Sequence, residues 1–196
     1  MSDLTASSTR TSTDVRPALD RLVSLFGAVV VVVLLAAGAG LEYASSFIGG
    51  QVHSQLADQG ITMPTAEAFG KLPAADQTAL KPFAGQPMTT GAQAKAFADH
   101  YILAHLNAAS GGKTYDAVSG EYLALSDADK ATKDGQALGQ LRQTMFMGST
   151  LRGLLLNAYA FGTMGVVAGF AAIGAFAAAV LLAVFVFLGL RHAKKA

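Results

Sequence analysis

The chain has 196 residues, of which 52% are hydrophobic and only 14% charged, and its formal net charge is +1. Soluble domains carry about 25% charged residues, so the deficit points to membrane segments, and the near-neutral balance gives no pull toward nucleic acid. The chain has no cysteine, which excludes disulfides, thiol catalysis, thiolate zinc sites and cysteine-ligated iron–sulfur clusters.

Residues 1–21 read as a polar, disordered cytoplasmic tail. Residues 22–41, LVSLFGAVVVVVLLAAGAGL, form an uncharged run of 20. Crossing a bilayer as a helix takes about 20 apolar residues, whereas strands seldom exceed about 10. The run is therefore predicted to be a transmembrane helix. The competing reading is a cleaved signal peptide, because Ala37-Gly38-Ala39 resembles an A-x-A cleavage site.

Residues 42–152 are predicted to form a small helical domain. By count, 28 of the 110 residues from Tyr43 to Arg152 are Val, Ile, Leu, Met, Phe or Tyr, a thin supply for a self-standing core. Leu41, Ile48, Val52 and Leu56 share a helical face. The first membrane helix is thus expected to continue outward to Gly60, a C′ glycine. The Gly49-Gly50 pair weakens that stretch.

Residues 61–90 hold Pro64, Pro73, Pro82 and Pro87, a density that favours turns and short helical pieces. A short helix is predicted over 90–109, TGAQAKAFADHYILAHLNAA, with Thr90 as N-cap and Ala94, Phe97, Ala98, Tyr101 and Leu106 on its apolar face. Gly111 and Gly112 should end it. Ser126 can cap another short helix, with Asp127 and Asp129 in its first turn. No strand and no internal repeat is expected.

Leu138, Leu141, Met145, Leu155 and Tyr159 follow three-four spacing and predict a helix that runs into the second apolar segment. Met145-Phe146-Met147 is a soft apolar cluster, read chiefly as packing against the first helix and alternatively as a surface for a partner or lipid. Residues 153–190 carry no charge over 38 positions, more than one span needs. The expected arrangement is one long helix, with 153–165 as its outer part, 166–190 crossing, and 191–196 as a basic cytoplasmic tail. The two membrane helices would extend outward as an antiparallel pair and lend the domain its core.

Arg10, Arg16 and Arg21 precede the first span, and Arg191, Lys194 and Lys195 follow the second. Basic flanks stay inside. Both termini are therefore expected in the cytoplasm and the central domain outside. Gly165 and Gly169 make a G-x-x-x-G, and Ala36 and Gly40 a small-x-x-x-small pair. These four are the expected helix-packing positions.

Candidate sites are few. Gly112-Lys113-Thr114 matches the end of a phosphate loop. That loop needs G-x-x-x-x-G-K-[ST] after a strand. Here the leading position is Asn107 and a helix precedes, so no nucleotide is expected. His53, His100, His105 and His192 are all the histidines. His100 and His105 lie about 140° apart around a helix and form no two-histidine clamp. Carboxylates are scattered and no G-x-S-x-G elbow occurs. No catalytic, cofactor or metal residue stands out.

QLADQGITM, AQAKAFADHYILAHLNAASGGKTYDAV and LRQTMFMGSTLRGLLLNAYAFG, in that order, resemble a group of small actinobacterial membrane proteins often labelled aromatic ring-opening dioxygenases. The resemblance covers about residues 20–190. It implies a two-span architecture in an actinobacterial cell membrane. The label implies a metal centre, typically two histidines and a carboxylate, a spacing this sequence does not contain.

Three functions remain open at this point. The first is a non-enzymatic accessory or interaction subunit of the cell envelope, whose partners are the lipid bilayer and another membrane protein or further copies of itself. The second is a metal-dependent enzyme using His53, His100 or His105. The third is a module that binds lipid or a small molecule between the helix arms.

Overall fold

A computed structural model describes the backbone of residues 6–193 and the side chains of residues 19–192. Residues 6–21 of the expected disordered tail are helical, while residues 1–5, Lys194 and Lys195 lie outside the described residues and Arg10 and Arg16 are described by their backbone alone. Among the described residues the chain is all-helical. Two long helices, α1 (Ala6–Asp58) and α8 (Lys133–Ala193), enclose six short ones in sequence. Each long helix is long and apolar enough to cross a membrane.

The chain divides into two compact units. One holds the residues up to Phe47 and those from Gly165; the other is Ile48–Met164. Residues 153–164 thus group with the second unit.

In the first unit α1 and α8 run antiparallel. A Cβ on Gly27 would stand 2.7 Å from Val186, one on Gly38 would stand 2.8 Å from the Phe176 ring, and one on Gly169 would stand 2.9 Å from Ser45 Oγ. Numbers rise on one helix as they fall on the other. The inward positions of α8 (Gly165, Ala168, Ala172, Ala175, Ala179, Leu182, Val186, Gly189) alternate spacings of three and four. So do Ser24, Gly27, Val31, Leu34, Gly38, Leu41 and Ser45 on α1. That mean spacing of 3.5 is the coiled-coil repeat, which keeps one narrow seam facing a partner helix.

The seam revises the expected packing positions. Gly165 is buried and Gly169 half-buried, but Ala36 and Gly40 are exposed, and a Cβ on Gly40 would meet nothing within 4 Å. The physical reason is angular. Each lies two residues from Gly38, about 200° around the helix. Gly38 is the α1 position that contacts α8.

In the second unit both long helices supply core residues. Val52 and Leu56 of α1 and Leu155 of α8 pack with Met63, Phe69, Leu80, Met88, Ala94, Ala96 and Ala98. The proline-rich stretch builds much of this core. Helix α2 (Ala66–Phe69) brings Phe69, and α3 (Ala74–Leu80) brings the fully buried Leu80. Met63 N donates to Gln86 O and Met88 N to Ile61 O, both at 2.8 Å, around an isolated bridge between Thr62 and Pro87. This pairing lays Met63 and Met88 side by side and buries both.

Helix α1 ends at Asp58, and Gly60 follows at φ 63°. Helix α4 (Gly91–Ala96) continues through a π-helical segment, Phe97–Ile102, into α5 (Leu103–Ser110). Helices α6 (Tyr115–Leu123) and α7 (Asp127–Lys130) follow, capped by Thr114 and Ser126. A second buried cluster joins Leu106 of α5, Val118 of α6 and Met145 of α8. The Met145-Phe146-Met147 cluster therefore splits. Met145 packs against α5 and α6 rather than α1, while Phe146 and Met147 are exposed. Consecutive helical positions diverge by about 100°, so one face cannot take all three.

Candidate functional site

The densest polar arrangement in the second unit forms where α4 gives way to the π segment. Its entry is held firmly. Thr90 Oγ1 accepts from the Gln93 amide at 3.3 Å, and Gln93 Oε1 accepts from the Thr90 amide at 3.0 Å. This capping box satisfies the first donors of the helix. Buried Gln93 also accepts from Thr89 N and donates to Gln86 Oε1.

A π turn inserts one residue into the α-helical ladder, and such turns concentrate at functional sites. Here the widened turn carries Asp99, His100 and Tyr101 in three directions. Asp99 accepts from Lys95 Nζ and, at 2.8 Å, from Arg152 Nη2 of α8. His100 Nδ1 donates to Asp76 Oδ1 of α3 at 2.8 Å. Tyr101 lies between Phe97 and His105, with ring centroids 5.1 and 4.4 Å away. The His105 Nδ1 donates to the Tyr101 carbonyl at 2.7 Å.

Two cations thus converge on one half-buried carboxylate. Burial pushes the Asp99 carboxyl up, but the hydrogen bonds and charges of Lys95 and Arg152 outweigh it and hold it below the usual aspartate value. Asp99 is ionised at neutral pH and has no proton to give. Lys95 also stands 5.3 Å over the Tyr159 ring of α8, a cation–π placement. Arg152 Nε is buried with no hydrogen-bond partner. The group clamps α4 and the π turn to α8, with α3 joined through His100.

The sequence candidates do not assemble into a metal centre. His53 is exposed on α1, His100 is bound to Asp76, and His105 is bound to its own helix backbone. Among the described residues no three His, Asp or Glu side chains converge as a ligand set. The two-histidine, one-carboxylate arrangement implied by the ring-opening label therefore finds no ligands there.

At the glycine run, Gly111 has φ 65° and Gly112 φ 82°. Their amides donate to Asn107 O and end α5. Lys113 Nζ donates to both Glu121 oxygens, and Thr114 caps α6. Changing Gly112 to Ala should cost about 1 kcal/mol, because an L residue is strained in the left-handed region. Lys113→Ala should cost well under about 1 kcal/mol, since its ion pair is about half exposed. Paired urea titrations check the contrast, and equal losses would contradict it.

No part of the clamp stood out in the sequence; only Lys95 and Asp99, four residues apart on one helix, carry a local spacing that could have announced it. Arg152 and Asp76 lie 53 and 24 residues from their partners, and no local spacing announces them. No family model, curated protein or solved structure matches the chain.

Proposed function

We propose that this is an integral membrane protein of the bacterial cell envelope that acts as a non-enzymatic interaction subunit. In this reading α1 and α8 cross the membrane, both termini are cytoplasmic and the Ile48–Met164 unit is outside. The observation that carries it is the exposed surface of the first unit. Leu22, Leu25, Phe26, Val29 and Val33 of α1 and Phe170, Ile173, Val180, Leu181 and Phe185 of α8 are all exposed, each more than half. Burying such side chains is worth roughly 1.5–3 kcal/mol each, which a bilayer supplies and water does not.

Charge delimits the crossing. On α1 the uncharged run is bounded by Arg21 and Glu42. Glu42 lies between Gly38, opposite Phe176, and Ser45, opposite Gly169. In this reading the outer end of the α8 crossing stands opposite Glu42, in the stretch between Gly169 and Phe176. The basic flanks Arg21 and Arg191 sit together at the other end, where positive residues stay inside.

The support for an interaction role is the clamp itself. Its charged groups are committed to one another, which is architecture rather than reaction chemistry. Carbonate-washed membranes should retain the chain, and a reporter fused after Ala196 should read as cytoplasmic. An outward reporter would break the topology. Affinity capture in mild detergent should recover a reproducible protein partner or further copies of the chain. A bare monomer would sink the interaction role.

A further inference from the structure

We propose that the end of the first unit where Arg21 and Arg191 lie binds the phosphate of an anionic phospholipid, with these two arginines as its ligands. The inference rests on the membrane reading above and names a lipid class as partner. A Cβ on Gly189 would stand 2.7 Å from Ser24 Oγ. Arg191 lies two residues beyond that contact on α8, and Arg21 three residues beyond it on α1. At 1.5 Å per residue, the antiparallel seam brings both within about 5 Å of that level along the pair. Both are exposed.

Arg191 is placed for lipid rather than for water. Its guanidinium stands 5.5 Å over the Phe187 ring, one turn back toward the apolar run. Phe187 is exposed, as are Leu188 on α8 and Leu22 and Leu25 on α1. In the membrane reading these side chains meet acyl chains, so the cation lies at the border of the hydrocarbon. A guanidinium stacked on a ring engages its flat face and keeps the N–H donors at its edge free. Those donors need an anion that reaches the hydrocarbon border.

Helix α8 does not supply that anion. From Gly135 to Ala196 the sequence has no Asp or Glu. On α1 the nearest carboxylate is Asp20, on the side of Arg21 away from the apolar run, whereas Arg191 reaches back toward that run. A phospholipid phosphate sits at the border by its own chemistry. Arginine takes it in a bidentate fork, while the acyl chains cover Leu22, Leu25 and Leu188. A lipid with net negative charge, such as a phosphatidylglycerol, adds an attraction that a zwitterionic lipid lacks. Each basic residue near such a surface is worth about fivefold in affinity.

The test places the full chain in micelles that hold equal amounts of phosphatidylglycerol and phosphatidylcholine with the same acyl chains. Native mass spectrometry then counts the lipids retained, and identical tails cancel the apolar contribution. Wild type should retain phosphatidylglycerol in preference to phosphatidylcholine. Arg191→Gln and Arg21→Gln should each lower that preference about fivefold. Arg191→Lys keeps the charge but should stay below wild type, because an ammonium lacks the planar fork. Excess inorganic phosphate should leave the preference intact, because a free anion brings no acyl chains. A wild type without preference, or full preference in either glutamine variant, overturns the proposal. So does an Arg191→Lys chain equal to wild type, which would show diffuse attraction in place of a site. Loss of the preference in excess phosphate assigns the arginines to a free anion and overturns the lipid partner. Carbonate washing separates the two levels. A chain that stays in the membrane but shows no preference refutes the lipid site alone. A chain that washes out refutes the membrane reading and the site with it.

Discussion

Replacing Gly91 by Ala should destabilise the Ile48–Met164 unit by about 3 kcal/mol, at the upper end of what overpacking costs. Gly91 is the first residue of α4 and is buried. A Cβ there would lie 2.9 Å from Tyr159 Cα and 3.0 Å from the Ala158 carbonyl oxygen. Both are backbone atoms of α8, which cannot rotate aside as a side chain can. Helix α4 would have to retreat, and its retreat would strain the Thr90–Gln93 capping box and loosen Ala94 and Ala96 in the core. Ala has the better helix propensity by about 1 kcal/mol, so a loss here would run against intrinsic preference. Gly120→Ala supplies the opposite sign. It sits inside α6 with nothing within 4 Å of the added methyl, so it should stabilise by up to about 1 kcal/mol. Urea midpoints of the detergent-solubilised protein give both values. A Gly91→Ala midpoint equal to wild type would mean that the two backbones are not in contact.

Gly91 also marks where the sequence stops being informative. Thr90-Gly91 reads as an ordinary cap and first residue, and the need for a missing Cβ arises only from the backbone at Ala158 and Tyr159, 67 and 68 positions away. Features that depend on neighbours in the chain were legible. The two charge-free runs became the two long helices, Thr90 and Ser126 capped theirs, and Gly111 and Gly112 took the left-handed backbone that ends α5. Pairings between elements were not legible. The expectation for Ala36 and Gly40 used a four-residue spacing, while the seam follows 3.5 and selects Gly38. The proline-rich stretch read as turns, and it is turns, but they bring Met63 and Met88 into the core. The π turn has no compositional signature, and through it Asp99 and His100, adjacent in sequence, serve different helices.

Asp99→Ala should be the most damaging change on the polar side, costing about 2 kcal/mol. Hydrogen bonds to charged groups are worth about 1.5–3 kcal/mol, and partial exposure of the cations discounts that figure. Lys95 can swing into water. Arg152 has less freedom, because its Nε is already buried without a partner. The loss is then mainly an uncompensated guanidinium, which sets up a diagnostic comparison. Asp99→Ala with Arg152→Met should be less destabilised than the sum of the two single changes, since removing both charges leaves nothing orphaned. Strict additivity would show that the pair is not coupled. The same carboxylate predicts a pH dependence. Its folded value lies below the ordinary one of about 3.8, held there against burial by Lys95 and Arg152. A depressed folded value means that the unfolded state takes up its proton first as acid is added. The contribution is therefore complete above about pH 4 and disappears as pH falls through the folded value. Wild-type stability should drop across that acid range, and the Asp99→Ala curve should drop less, converging on wild type at the acid end. Parallel curves, separated by a constant amount down to the lowest pH, would show that packing rather than charge at Asp99 holds α4 to α8.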